Sequence, residues 1–124
     1  MNKKLESESV DALFEGILAL RTREECYAFF EDICTANELV SLAQRFAVAR
    51  MLFENMTYNQ ISEKTGASTA TISRVNRSLT YGNDGYALVL KRLSDAAAAA
   101  AENEQPSDPE GVLVDPIPTD HRYV

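Results

Sequence analysis

The stretch that decides the reading runs from Tyr58 to Arg77, "YNQISEKTGASTATISRVNR". Thr57 just before it and Gln60 inside it make a capping box, which starts a helix at Tyr58. Gly66 stops that helix, because the left-handed conformation of such a stop penalises any residue with a Cβ. Ser68 or Thr69 then caps a second helix. Ile61 and Thr65 lie one turn apart on the first helix, and Ile72 and Val75 lie three apart on the second. Small Ser62 stands where two short helices crossing at a steep angle would meet, and Ala67 fills the turn. The pattern predicts a helix-turn-helix over about residues 58–79.

The remaining face of the second helix points outward and carries Ser68, Thr69, Ala70, Ser73, Arg74 and Arg77, with no acid among them. Small groups at the N-terminal end, with Arg further along, suit a helix that must come close to base edges in a DNA groove. A capped N-terminus also leaves amide groups and a positive dipole end near a phosphate. Lys64 adds a cation from the first helix. Ser and Thr bond several bases, so no operator sequence is legible.

The whole chain is nonetheless acidic, with a formal net charge of -7. Its location resolves the conflict. Residues 1–40 carry four basic and nine acidic side chains, and residues 95–124 carry one and seven. Residues 41–94 carry seven basic and three acidic ones, so the candidate DNA-reading segment lies in the one basic part of the chain. Phosphate contacts depend on that local field rather than on the overall charge.

The flanking pattern is helical almost throughout. Val10, Leu13, Phe14, Ile17 and Leu18 form an amphipathic stripe with Ser7 or Ser9 as its cap. Thr22 with Glu25, and Thr35 with Glu38, are two more capping boxes. The first opens an apolar face of Cys26, Phe29, Phe30 and Ile33. The second opens a stripe of Leu39, Leu42, Ala43, Phe46, Ala47, Arg50 and Phe53. After Leu79, "TYGNDGY" breaks the periodicity, and a last helix continues into the six Ala of 96–101. All four Pro fall beyond Glu102 among acidic residues, which reads as a disordered tail or a surface strap. The expected organisation is a flexible N-terminus over residues 1–9, a helical DNA-binding domain over 10–95, and an Ala-rich extension with an acidic tail over 96–124.

The segments "LVSLAQRFAVARML" (Leu39–Leu52) and "MTYNQISEKTGASTATISRVNRSLTYG" (Met56–Gly82) resemble the Trp repressor superfamily, most closely its YerC/YecD branch. The resemblance covers about residues 10–93, and "GASTATISRVNRSL" is its densest signature. It implies an all-α, six-helix, intertwined homodimer whose two helix-turn-helix units bind a two-fold site on double-stranded DNA, as a transcriptional repressor. In that family L-tryptophan sits between two Arg side chains, and a Gly directly follows the second. Arg74 matches the second Arg, and Thr71 and Ser78 match other pocket positions. The first Arg aligns with Gln44, or with Arg45 after a shift of one residue. Val75 stands at the Gly position, where its branched side chain fills space meant for the indole. This departure argues against L-tryptophan, and leaves open another small-molecule co-repressor or a dimer competent without a ligand.

Other classes have less behind them. Glu31, Asp32 and Glu38 lack a nearby His, and their spacing does not gather them, so they read as a solvated face rather than a metal or catalytic cluster. Cys26 and Cys34 lack zinc spacing and read as buried thiols, and His121 lies in the tail. Tyr58, Tyr81 and Tyr86 read as half-buried packing at helix ends rather than as stacking platforms. The sequence indicates no enzyme. No signal peptide or membrane span is legible, and a cytoplasmic location is expected. The competing reading is a helical dimer whose corner docks a protein instead of DNA.

Overall fold

The computed structural model describes residues 6–103. Those residues form six helices and no strand: α1 (Glu8–Leu18), α2 (Arg23–Ile33), α3 (Ala36–Phe53), α4 (Tyr58–Thr65), α5 (Thr69–Tyr81) and α6 (Gly85–Asn103). The expected tail, with His121, and the first residues of the expected N-terminal segment lie outside the described part. The chain divides into two compact units between Ser41 and Leu42, so α3 begins in one and ends in the other.

In the first unit, local capping sets the helix starts. Ser7, not Ser9, caps α1, accepting a hydrogen bond from the Val10 amide at 3.2 Å. Thr35 and Glu38 close a complete box: the Thr35 amide donates to Glu38 Oε1 at 2.8 Å, and the Glu38 amide donates to Thr35 Oγ1 at 3.1 Å. The box at Thr22 closes differently. The Glu25 amide does donate to Thr22 Oγ1, but the Glu25 carboxylate reaches one residue further back, to the Arg21 amide at 2.8 Å.

Tertiary burial in this unit departs from the sequence pattern. Neither α1 nor α2 has a buried residue. Phe14 and Leu18, on the predicted stripe of α1, are 54% and 84% exposed, and Ile33 of α2 is 50% exposed. Cys26 is exposed and Cys34 only half-buried, against the expectation of two core thiols. Amphipathic periodicity marks a face that seeks a partner surface, and this unit supplies none large enough by itself.

The second unit holds the core. Val48, Ala49, Ile61, Ala67, Ile72, Val75 and Leu90 form one buried cluster, with Phe46, Met51, Leu52, Met56 and Tyr86 packed against it. On α3 the buried positions are Ala47, Val48 and Ala49, whereas Leu42 and Phe53 of the predicted stripe are 46% and 44% exposed. Phe46, Met51 and Leu52 of the same helix border the buried cluster, so its core-facing side carries large residues as well as Ala47 and Ala49. The helix ends at a stop that sequence reading passed over. Asn55 takes φ 63°, the Asn55 amide donates to Leu52 O at 2.9 Å, and the Met56 amide donates to Met51 O at 3.0 Å. Those two bonds around a left-handed residue make a Schellman stop, with Met51 and Met56 both against the core.

Candidate nucleic-acid interface

The corner between α4 and α5 is built almost wholly from local hydrogen bonds. At its entry, the Gln60 amide donates to Thr57 Oγ1 while Gln60 Oε1 accepts from the Thr57 amide, completing the predicted capping box. At its exit Gly66 takes φ 73° and its amide donates to Ser62 O at 2.8 Å. The next two residues are then tied back. Thr65 Oγ1 donates to Ile61 O and accepts from the Ala67 amide, and Ser62 Oγ donates to Ala67 O at 3.0 Å. Thr65 is 2% exposed, and these bonds satisfy a hydroxyl whose burial would otherwise be costly. Ile61 and Ile72 are fully buried, and Ala67 and Val75 are each 2% exposed, so these four meet in one core, whereas Ser62, expected at the helix crossing, is exposed.

Ser68 is the N-cap of α5, which decides between it and Thr69. Its Oγ accepts from the Thr71 amide and donates to Thr71 Oγ1, each at 3.1 Å. The Ser68 hydroxyl is therefore engaged in holding the helix start. Thr69 opens the helix and is exposed. At 100° per residue, burial of Ile72 and Val75 turns Ala70, Ser73, Arg74 and Arg77 to the opposite side, and all four are exposed. No acidic residue lies in α5. The ion pair found among the described residues joins Arg50 to Glu54 at 3.9 Å on α3 and the residue following it; Lys64, Arg74 and Arg77 have no acidic partner there.

Two tyrosines bear on this face in ways the sequence did not show. Helix α5 runs past Leu79 to Tyr81, whose side chain is 83% exposed, one turn beyond Arg77. Tyr81 is thus outside any packing, against the expectation for it. Tyr58 is tied in place, its OH accepting from Asn76 Nδ2 at 3.2 Å and linking the start of α4 to the middle of α5. Tyr86 packs against the core, as expected for it. Helix periodicity alone carried Tyr81 onto the face with Arg74 and Arg77; the break at Gly82 was its available signal. Gly82 is the C-cap of α5, and a Cβ there would run into the Ser78 carbonyl, so this position requires glycine.

The residues of the candidate effector pocket are dispersed among different tasks. Val75 sits in the core. Gln44 donates its side-chain Nε2 to Thr65 O at 3.2 Å, tying α3 to the last turn of α4. Thr71 is half-buried and bound to Ser68, while Arg45, Arg74 and Ser78 are exposed. Among the described residues no hydrogen bond joins Gln44 or Arg45 to Arg74. In the same residues no three His, Cys, Asp or Glu side chains are gathered to hold a metal, and no helix is long and apolar enough to cross a membrane.

Comparison with known proteins places this geometry in context. The family model described as Trp repressor protein matches residues 8–94. The uncharacterized protein YerC of Bacillus subtilis (strain 168) is 58% identical over 92 residues, covering 74% of this chain and 88% of its own. A crystal structure of a TrpR-like protein from Eubacterium eligens superposes with a TM-score of 0.73 at 62% identity, over 75% of this chain and 96% of that one. A candidate Trp repressor from Staphylococcus aureus gives a TM-score of 0.72 at 53% identity, over 74% and 92% of the two chains.

Proposed function

The chain belongs to the Trp repressor family, a regulatory DNA-binding fold rather than an enzymatic one, and we propose that it is a homodimeric, sequence-specific DNA-binding regulator of transcription. The observation that carries this reading is the outward side of α5: small residues, two Arg with no acidic partner among the described residues, and no acid, on a helix whose start is capped by its own turn. Helix α5 enters the major groove with Ala70 and Ser73 against base edges. Arg74 and Arg77 take phosphates or a guanine edge, with Lys64 on the backbone beside them. Ser68 contributes through the amides of the helix start that it holds in place, more than through its hydroxyl.

The dimer accounts for the first unit. Phe14, Leu18, Ile33 and Val40 are half or more exposed in one chain, and a second copy would cover them. Repression in the cytoplasm is the mode we assign, with two α5 helices on a two-fold site. L-Tryptophan is not the effector in this reading, because Val75 is sealed in the core and Gln44 is committed to Thr65 O. A different ligand must use Arg74, Ser78 and Arg45 on the surface, or none is needed.

Selection of bound duplexes from a random pool, with and without a panel of amino acids, tests the function. Enrichment of a palindrome supports it, and a pool left unenriched under every condition sinks it in favour of a protein-docking module. In the same assay Arg77→Ala should weaken duplex binding and lower the slope of log affinity against log salt by about one phosphate's worth. An unchanged slope would remove Arg77 from the interface.

A further inference from the structure

The family match ends at Ser94, and the Eubacterium eligens chain is covered to 96% of its length by only 75% of this one. This chain therefore adds a C-terminal segment to the shared fold. Helix α6 continues past the match to Asn103, through the exposed run Ala96–Ala101. Beyond it, residues 104–124 carry five acidic side chains (Glu104, Asp108, Glu110, Asp115 and Asp120) against one basic, Arg122. The face of α5 has the complementary character: exposed Arg74 and Arg77, no acid, and no ion-pair partner among the described residues.

We propose that the acidic segment 104–124 docks on the α5 face of its own chain and competes there with duplex DNA. The proposal rests on the DNA-binding reading for its consequence, and on charge complementarity for the contact itself. Chain length permits it. Helix α6 has 19 residues and spans about 28 Å at 1.5 Å per residue. Asp115 and Asp120 lie far enough past Asn103 to reach back about 40 Å and 56 Å in extended chain. Lys91 and Arg92, exposed on α6, lie between the end of that helix and α5 and offer intermediate contacts. The alanine turns offer little surface to hold the segment elsewhere. Tethering gives the segment a high effective concentration at the face, so weak individual ion pairs suffice at low salt and are screened as salt rises. Specific DNA, with more phosphates and a fitted surface, displaces it; non-specific DNA competes poorly. The segment thus sharpens discrimination between operator and bulk DNA.

The test uses the full chain with Asp108→Asn, Glu110→Gln, Asp115→Asn and Asp120→Asn combined. Two measurements are made: affinity for a random-sequence duplex across salt, and backbone amide shifts without DNA. The expected result is about a five- to tenfold tighter duplex affinity near 50 mM salt, as for a face freed from an occupant held most of the time. The gain fades toward about 200 mM, and the salt slope steepens. Amides of α5 and of Lys64 should shift between the two chains at low salt and converge at high salt. A tighter affinity without those shifts would mean plain repulsion between tail and DNA, and overturns docking. Unchanged affinity with unchanged shifts overturns the whole proposal, and unchanged affinity with shifts overturns the competition. If neither chain binds any duplex while the shifts appear, docking stands and the DNA-binding reading falls.

Discussion

The α4–α5 corner and the α1–α2 arm are both well-capped helical pairs, yet one buries its apolar side chains and the other leaves them out. Between Thr57 and Tyr81 the single chain buries Ile61, Thr65, Ala67, Ile72 and Val75. Between Glu8 and Ile33 it buries nothing. Capping satisfies backbone groups at helix ends in either place, so hydrogen bonding does not separate them. Supply of opposing surface does. The corner faces α3 and α6 residues of its own chain, notably Val48, Ala49 and Leu90. The arm presents a stripe with no such cover, and the missing surface is what we assign to a second copy.

The largest expected effect breaks that assignment or secures it. Replacing Phe14 and Leu18 together by Ser removes about 1.5–3 kcal/mol for each side chain that a second copy covers. Sedimentation equilibrium should show the dimer falling to monomer at micromolar concentration. In an uncovered arm the same changes would be nearly silent, and an unaltered association constant would refute the dimer interface there.

A smaller and different loss is expected in the corner. Ile61→Ala empties a fully buried site and should cost about 2–5 kcal/mol in chemical denaturation. Because Ile61 packs within one chain, its penalty should not vary with protein concentration beyond that of the parent. A penalty that grew on dilution would place this side chain in the shared interface and erase the contrast between the regions.

Much of the corner was legible because its determinants are local. Thr57, Gln60, Gly66 and the spacing of Ile72 and Val75 act over a turn or less, and each took the place that the sequence indicated. Gly66→Ala tests that economy: forcing a Cβ into φ 73° should cost about 1–2 kcal/mol, read as a lower denaturation midpoint with α5 still helical. Burial along α3 was not legible in the same way. Periodicity there proposed Ala47, which is buried, and Phe46, which packs on the core, but also Leu42 and Phe53, which stay exposed. It passed over Val48 and Ala49, because which side of a helix meets its own chain depends on distant residues such as Leu90. Tyr81 was misjudged for a related reason. Its exposure follows from α5 continuing through Tyr81, where helical phase sets it one turn beyond Arg77 on the outward side. The outward residues themselves were named correctly as exposed, apart from the hydroxyl of Ser68, which the cap consumes.

The smallest effect belongs to the start of α3, just past the arm, and isolates capping from packing. Glu38 has its carboxyl held below the ordinary value of 4.5, first by the hydrogen bond from the Thr35 amide and then by the Thr35 side chain. A carboxylate favoured in the folded state stabilises the start of α3 above its unfolded pKa, and that contribution disappears as pH falls through the folded value. Glu38→Gln keeps an oxygen acceptor for the Thr35 amide but removes the charge. The parent should therefore exceed the variant slightly in denaturation midpoint near neutral pH, and the gap should close as pH drops below 4.5. Other carboxylates are common to both chains and cancel in the difference. A gap constant with pH would mean that the box holds α3 by geometry alone, with no part for the charge. A gap that closes would show that a charged cap, and not geometry alone, orders the start of α3.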